Sequence, residues 1–372
     1  MLDIVLLLLL FSTTLIQLWY WGVRFALLAR YQLPSKKEKE AEPLPPVSIV
    51  ISARNEAHNL RQNLPLFIAQ DYPVFEIIVV NDHSEDETEK IILEFQKTCP
   101  TLHLLSKPAG IPPGKKAALN LGIQHTSFDT LFFSDADCQP ISRQWLRKMQ
   151  WSFQYPYKIV LGYGPYHKQS GWLNLFIRFE AFYTAIQYFS FALAGKPYMG
   201  VGRNLAYHKE IYLQAEGFSR HAHLLSGDDD LLVNQMATAD NTTINLFPDT
   251  RVYSDPKTSL RGYYYQKRRH LSTGSHYRQS HQFALGALAA SHFAFYVLTV
   301  ALWILHPQWW LFLTLNYLVR IGVVLQTGYS ASKHLGEHDL LPFLPLLDFL
   351  YLGYYIVFAP SLLTGSRIRR WK

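Results

Sequence analysis

Two kinds of hydrophobic patterning divide the chain. From Leu2 to Ala29 the sequence LDIVLLLLLFSTTLIQLWYWGVRFALLA is apolar for long enough to cross a bilayer. Trp19, Tyr20 and Trp21 read as an interfacial belt, with Arg24 and Arg30 just beyond. A secretory signal would carry positive residues ahead of the apolar run and a small-x-small site after it. Neither is present, so residues 1–30 read as a retained transmembrane helix. Positive charge follows the helix, which places its C-terminal end in the cytoplasm. Residues 31–46, including PSKKEKEAEPLPP, are charged and proline-broken and read as a linker.

At Val47 the pattern changes to short apolar runs separated by helical spacing. VSIVISA, EIIVVND, LHLLSK and TLFFSD read as buried strands. Helices are expected over Asn55–Gln70, from about Asp86 to Lys97, and over Gly114–His125. Alternation of this kind predicts an α/β fold with a mainly parallel sheet covered on both faces, over residues 47–275. Ligands of such sheets bind beyond the carboxyl ends of the strands. Those ends here carry Asn55-Glu56, Asn81-Asp82 and Asp135-Ala136-Asp137.

Gly171–Ala194 repeats apolar residues at steps of three and four. Arg178 and Glu180 oppose a full membrane crossing, so the segment reads as an interfacial helix over about 171–194 or, equally, as a packed core helix. Residues 283–365 are apolar again. Phe283–Leu305 and Trp309–Gln326 predict a hairpin joined by His306-Pro307-Gln308, and Phe343–Leu363 a further crossing. Three crossings after a cytoplasmic domain would place Arg367, Arg369, Arg370 and Lys372 outside, against the positive-inside rule; one segment that is re-entrant or interfacial is the alternative.

Composition narrows the partners. The net charge is +7, and basic clusters at Lys36–Lys39, Lys267–Arg269 and Arg367–Lys372 adjoin apolar segments. That placement suits an anionic membrane surface and not a nucleic acid. Two cysteines, Cys99 and Cys138, make neither a disulfide framework nor a zinc site and read as reduced thiols.

Candidate chemistry gathers at three places. Asp135 and Asp137 are two residues apart on an extended chain and so share a face, where both can reach one Mg²⁺ or Mn²⁺. Ser226-Gly227-Asp228-Asp229-Asp230 places three acids together; mutual repulsion raises a pKa, as a general base requires, and an acidic helix N-terminus is the bland reading. Gly200-Val201-Gly202-Arg203-Asn204 allows close backbone approach, or is a tight turn. His221 and His223 read as solvated loop residues.

Taken in order, VSIVISARNEAHNL, IIVVNDHSEDET, GKKAALNLGI, FSDADC, GVGRNLAYHKE, SGDDDLL and QKRRH resemble the motifs of membrane-bound family 2 glycosyltransferases. That group includes cellulose, chitin and hyaluronan synthases and ceramide glucosyltransferase. The resemblance covers about Val47–His270 and implies a GT-A fold acting on nucleotide-diphosphate sugars. It implies nucleotide binding by Glu56, Asp82, Lys115, Asp135, Gln266 and Arg269, with Asp82 accepting from a uracil N–H. Asp137, with Asp135, would hold the metal, and Asp229 would be the catalytic base. Gly202, Arg203, Asn204, Asp228 and His270 would contact the acceptor; His270 stands where the family carries tryptophan, which puts that aromatic's role in doubt.

The expectation is a multi-pass membrane enzyme with a cytoplasmic catalytic domain, at a bacterial inner membrane. It would use Mg²⁺ or Mn²⁺ to move a sugar, with inversion, from a UDP-sugar to a lipid or membrane-associated acceptor. A processive polysaccharide synthase and a non-catalytic nucleotide-binding scaffold are the alternatives.

Overall fold

The computed structural model describes residues 1–34, 44–108 and 110–363. Most of the linker and the basic C-terminal cluster lie outside these residues.

The sheet is built from strands that have no polar face to offer water. β1 (Val47–Ala53) is buried at every position, and β2 (Phe75–Asn81) at all but its first. Both pair in parallel, as does β3 (Leu102–Ser106) on β2 and β4 (Thr130–Asp135) on β1. Helices α1 (Ala57–Ile68), α2 (Thr88–Gln96) and α3 (Lys115–Gln124) make the crossovers. All seven elements lie where the hydrophobic pattern predicts them.

The sheet continues beyond β4 in a way the pattern did not reveal. Short strands β6 (Ile159–Leu161), β7 (Leu205–His208) and β8 (Thr242–Ile244) complete seven strands in the order β3-β2-β1-β4-β7-β6-β8, with β7 antiparallel to both neighbours. β5 (Cys138–Pro140) and β9 (Val252–Ser254) form a separate pair. The connections run outward from β1 to β3 and then return to the other side of β1. The strand order therefore reverses between β1 and β4, which in open α/β sheets is where ligands bind. Register aligns Ala53 with Asn81 and Ser52 with Asp135, so the three acidic strand ends reach one edge.

Four helices are long and apolar enough to cross a membrane: Leu2–Ala29, Gln279–Leu305, Pro307–Leu335 and His338–Pro360. Their positions match the expected flanking segments. The first contains a π-helical turn at Tyr20–Arg24. The helix Trp172–Leu193 is a different case. It was expected with equal weight as interfacial or as core, and the core reading describes it. Thirteen of its residues are buried, Arg178 and Glu180 among them. Its aromatic side packs on the flanking helices: Tyr183 stacks on Trp21 at 5.6 Å and meets Tyr351 edge-on at 5.2 Å. The two charges that forbade a crossing are neutralised inside the protein. Arg178 pairs with Glu337 and Asp339, and Glu180 with Lys267. This helix thus joins the α/β domain to the apolar bundle.

The bundle is tied by a buried polar network. Arg320 and Asp348 pair at 2.5 Å. Tyr296 Oη donates to Asp348, and Arg320 donates to Gln17 at 3.0 Å, so each of the four helices contributes a member. Charges in such a place persist only when paired. Replacing Asp348 by Leu, which strands the Arg320 guanidinium, is expected to destabilise the protein by about 3–5 kcal/mol, whereas Arg320→Met with Asp348→Leu recovers most of that loss. Thermal unfolding of the detergent-solubilised single and double variants measures the difference.

Candidate active site

A cavity of about 1600 Å³ opens at the strand-order reversal and extends to the apolar bundle. Its upper end is walled by the end of β1 (Arg54, Glu56), the end of β4 (Asp135, Asp137), the start of α3 (Lys115) and the loop carrying Asp228, Asp229 and Asp230. Sequence positions 56, 115, 135, 137, 202, 203, 228, 229, 266, 269 and 270 all line it, so eleven of the thirteen predicted site residues converge on one space.

Lys115 is the electrostatic centre of this end. Its Nζ lies 2.8 Å from Asp135 Oδ1 and 3.0 Å from Asp228 Oδ2. Burial alone would raise the Asp135 carboxyl, but Lys115 outweighs it and, with Arg203 and Arg269, holds it below its ordinary range. Asp135 and Asp137 meet differently from the expectation of a shared strand face. β4 ends at Asp135, and the chain turns before Cys138 opens β5, so a turn and not the pleat brings the carboxylates together. Their oxygens and the Cys138 sulfur lie within 4.8 Å of one another. Burial and the two flanking carboxylates keep the Cys138 thiol protonated, which leaves a carboxylate donor set that fits a hard divalent cation.

Asp229 caps the helix Asp230–Met236. Its Oδ1 accepts from Asp230 N–H at 2.8 Å and its Oδ2 from Gly202 N–H at 2.6 Å. Gly202 is required here: a Cβ would stand 2.9 Å from Asp229 Oδ2. Gly227, at φ +99°, turns the chain into the acidic run in a conformation that favours glycine. The capping role and the chemical one coexist. Burial, then repulsion from Asp228 and Asp230, push the Asp229 carboxyl up to about 7 against the pull of Lys115. Asp230 turns away to accept from Tyr277 at 2.7 Å and from Thr273. His270 opens into the cavity but stands in a cationic and desolvated place, near Lys267, Arg269, Arg203 and Lys115, which hold the imidazole neutral.

Two predicted residues are placed elsewhere. Asp82, expected to read a nucleobase, is 1% exposed and does not line the cavity. Lys107 and His83 face its Oδ1, and Gly114 N–H donates to its Oδ2 at 2.7 Å. It fixes the turn that aims Lys115, from a strand end one position away from the reversal. Asn204, expected at the acceptor, is fully buried. It accepts from Trp145 Nε1 at 3.0 Å and donates to the Tyr163 and Thr250 carbonyls at 2.7 Å, so its amide braces the inner wall. Arg203 reaches the cavity, but its guanidinium is held by the Gly164 carbonyl and Ser254 and lies over the Tyr166 ring.

Arg54, Glu180, Lys267 and a belt of tyrosines also line the cavity and were not assigned to it from sequence. The one signal for Glu180 was its charge on an otherwise apolar helix face. His221 and His223 approach His276, at ring separations of 6.5 and 6.1 Å, without joining the acidic group.

Residues 48–213 match the family described as glycosyl transferase family 2. Residues 48–213 are thus similar to the glycosyl transferase family 2 domain. Over 122 residues it is 36% identical to the probable glycosyltransferase YdaM of Bacillus subtilis, covering 32% of this chain and 29% of that one. Over 217 residues it is 30% identical to 4,4'-diaponeurosporenoate glycosyltransferase of Staphylococcus haemolyticus, covering 53% and 54%. The chain spans between about a third and a half of the length of these relatives. In structure it is similar to the mannosyltransferase PcManGT from Pyrobaculum calidifontis, solved with GDP-Man and Mn²⁺, at a TM-score of 0.61, 17% identity, and coverage of 95% of this chain and 99% of that one. This likeness is one of fold, and it fixes the GT-A architecture expected from the motifs.

The bracing role of Asn204 is open to measurement. Asn204→Ala orphans the Thr250 carbonyl and the Trp145 N–H, leaves the Tyr163 carbonyl with the Val252 N–H alone, and is expected to lower stability by about 1–3 kcal/mol. The Michaelis constants of both substrates should stay within a factor of about two, since the residue does not line the cavity. Urea unfolding and steady-state kinetics on the same preparation test both halves.

Proposed function

We propose that the protein transfers a sugar, with inversion at the anomeric carbon, from a UDP-sugar to a hydroxyl of a lipid or membrane-associated acceptor. The observation that carries this reading is a single cavity. It joins a metal-competent carboxylate pair and a carboxyl raised to about 7 to a set of apolar helices. The relative named for 4,4'-diaponeurosporenoate supports an amphiphilic acceptor. On this reading the catalytic domain faces the cytoplasm at the cell membrane, with the flanking helices spanning it.

Asp135 and Asp137 are the residues that would hold Mg²⁺ or Mn²⁺, and a cation bound there neutralises the diphosphate of the leaving nucleotide. Lys115 and Arg269 add positive charge at the same end, and Glu56 and Gln266 border the nucleotide. Asp229, ionised, takes the proton of the acceptor hydroxyl as that oxygen attacks the anomeric carbon. Gly202 N–H and Asp230 N–H fix its two oxygens. With Asp229 as the base, Asp228 engaged by Lys115 and Asp230 by Thr273 and Tyr277, the reading is a single displacement, hence inversion. Asp228 holds Lys115 in place, and neutral His270 offers the acceptor a hydrogen bond without adding charge.

Asp229→Asn is expected to lower labelled-lipid formation by about 10²- to 10⁴-fold with nucleotide-sugar binding retained. Radiolabelled UDP-glucose and GDP-mannose, supplied to membranes holding wild type or variant, test the base and the donor together. Equal product in both overturns the base assignment, and a lipase-resistant polymer replaces the single-transfer reading with a processive one.

Because the protonated form of Asp229 persists up to about pH 7, kcat/KM should fall as pH drops below that value, by about tenfold per unit, and level off above it. A chelator such as EDTA should abolish turnover, and added Mg²⁺ or Mn²⁺ restore it.

A further inference from the structure

The membrane-facing half of the cavity has a chemistry of its own. It is walled by the helix Trp172–Leu193 and by the bundle helices Gln279–Leu305 and Leu344–Leu363. Tyr183, Tyr198, Tyr351, Tyr354 and Tyr355 line it, with Tyr351 stacked on Tyr354 at 4.6 Å. Beyond the tyrosines the lining turns aliphatic and aromatic, with Leu285, Ala289 and Phe293 on one helix and Ile356 and Ala359 on the other. Phe293 and Ile356 line the cavity and are exposed, on two helices long and apolar enough to cross a membrane. Gly286 leaves room at this level, where a Cβ would meet nothing within 4 Å.

Charge decides what this space accepts. The three walling helices contain one Lys or Arg, Arg178, and it is bound to Glu337 and Asp339. Lys267, which reaches the tyrosine belt from its own helix, is paired with Glu180. An anionic head group would find both these cations neutralised. The cavity lining as a whole holds eight carboxylates against six Lys and Arg, Lys115 and Arg269 among the latter, and three of the carboxylates, Asp228, Asp229 and Asp230, adjoin at the reacting end. A hydroxyl suits the same place, because tyrosine hydroxyls donate to it and a carboxylate accepts from it.

We propose that this half of the cavity is a chamber for an uncharged amphiphile that presents a hydroxyl to Asp229, lets its hydrocarbon tail leave between the helices 279–305 and 344–363, and discriminates against lipid phosphates. The direction in which the head group points rests on the transfer reading; the chamber and its charge preference do not.

The test is photocrosslinking of the full-length, detergent-solubilised chain with two matched pairs of diazirine-tailed lipids: diacylglycerol against phosphatidic acid, and a polyprenol against its phosphate. Tails are identical within a pair, so only the head group differs. The neutral member of at least one pair is expected to label peptides of 279–305 and 344–363 with about tenfold or greater preference, the scale set by burying an unpaired charge. Gly286→Trp should remove that labelling. Gly322→Trp, on a helix that does not line the cavity and where a Cβ likewise meets nothing within 4 Å, should keep it and so controls for folding. Labelling should persist in Asp229→Asn, since binding needs no turnover; failure of the transfer reading therefore leaves this result standing. Equal or stronger labelling by the phosphates, labelling of neither helix, or labelling indifferent to Gly286→Trp overturns the proposal.

Discussion

The Lys115 ammonium, held between Asp135 and Asp228, is the interaction on which the site depends. Five carboxylates line the same end of one cavity, at positions 135, 137, 228, 229 and 230. Without a cation of the protein's own, their repulsion would oppose the packing of the acidic loop against the sheet edge. The ammonium is itself aimed from behind. Asp82 accepts from Gly114 N–H at the start of the Lys115 helix and is anchored by Lys107. A chain of charge pairs thus runs from the end of β2, through the helix, to the end of β4 and on to the acidic loop. Its last consequence is a division of labour among like groups. Asp135 is held below the ordinary range and Asp229 is pushed to about 7, because the ammonium contacts the first and leaves the second to burial and its acidic neighbours.

The same principle shapes the junction with the apolar bundle. Arg178, Glu180, Arg320 and Asp348 persist on apolar helices there because each is paired. Arg178 with Glu337 and Asp339 holds the connecting helix to the segment ahead of the last bundle helix. Glu180 with Lys267 holds it to the helix that carries Arg269 and His270. Arg320 with Asp348 ties the bundle itself. Such pairs add little net stability, since replacement by apolar pairs of similar volume is often neutral, while removing one partner strands a buried charge. Docking in this way gives the cavity a polar end at the sheet edge and an apolar end among the helices.

Much of the α/β half was legible from residue pattern. Strands β1 to β4 and their helices follow from apolar runs and helical spacing, and the flanking helices from length and apolarity. The short strands after β4 were not legible. Three residues such as Ile159–Leu161 give too few alternations to show a period, and they become strands only because β7 presents an edge to them. Site residues divide similarly. Lys115, Asp135, Asp137 and Asp229 lie at the strand end, helix start or acidic loop where their motifs place them. Asp82 and Asn204 carry equally plausible motif positions, but their polar atoms are satisfied by Lys107 and Gly114 in one case and by Trp145, Tyr163 and Thr250 in the other.

By itself, the amino-acid sequence determined the class of this protein: a mainly parallel sheet with acidic strand ends, set between apolar helices, with motifs of a sugar-transferring family. Those properties are local, since periodicity, charge and short spacing are all written within tens of residues. Tertiary structure alone decided that the Trp172–Leu193 helix is interior, that a turn rather than the pleat unites Asp135 with Asp137, and that the tyrosine-lined space continues between the apolar helices. Each of these depends on partners more than a hundred residues away, or on which polar groups are already satisfied, and burial and pairing over such distances leave no period in a sequence.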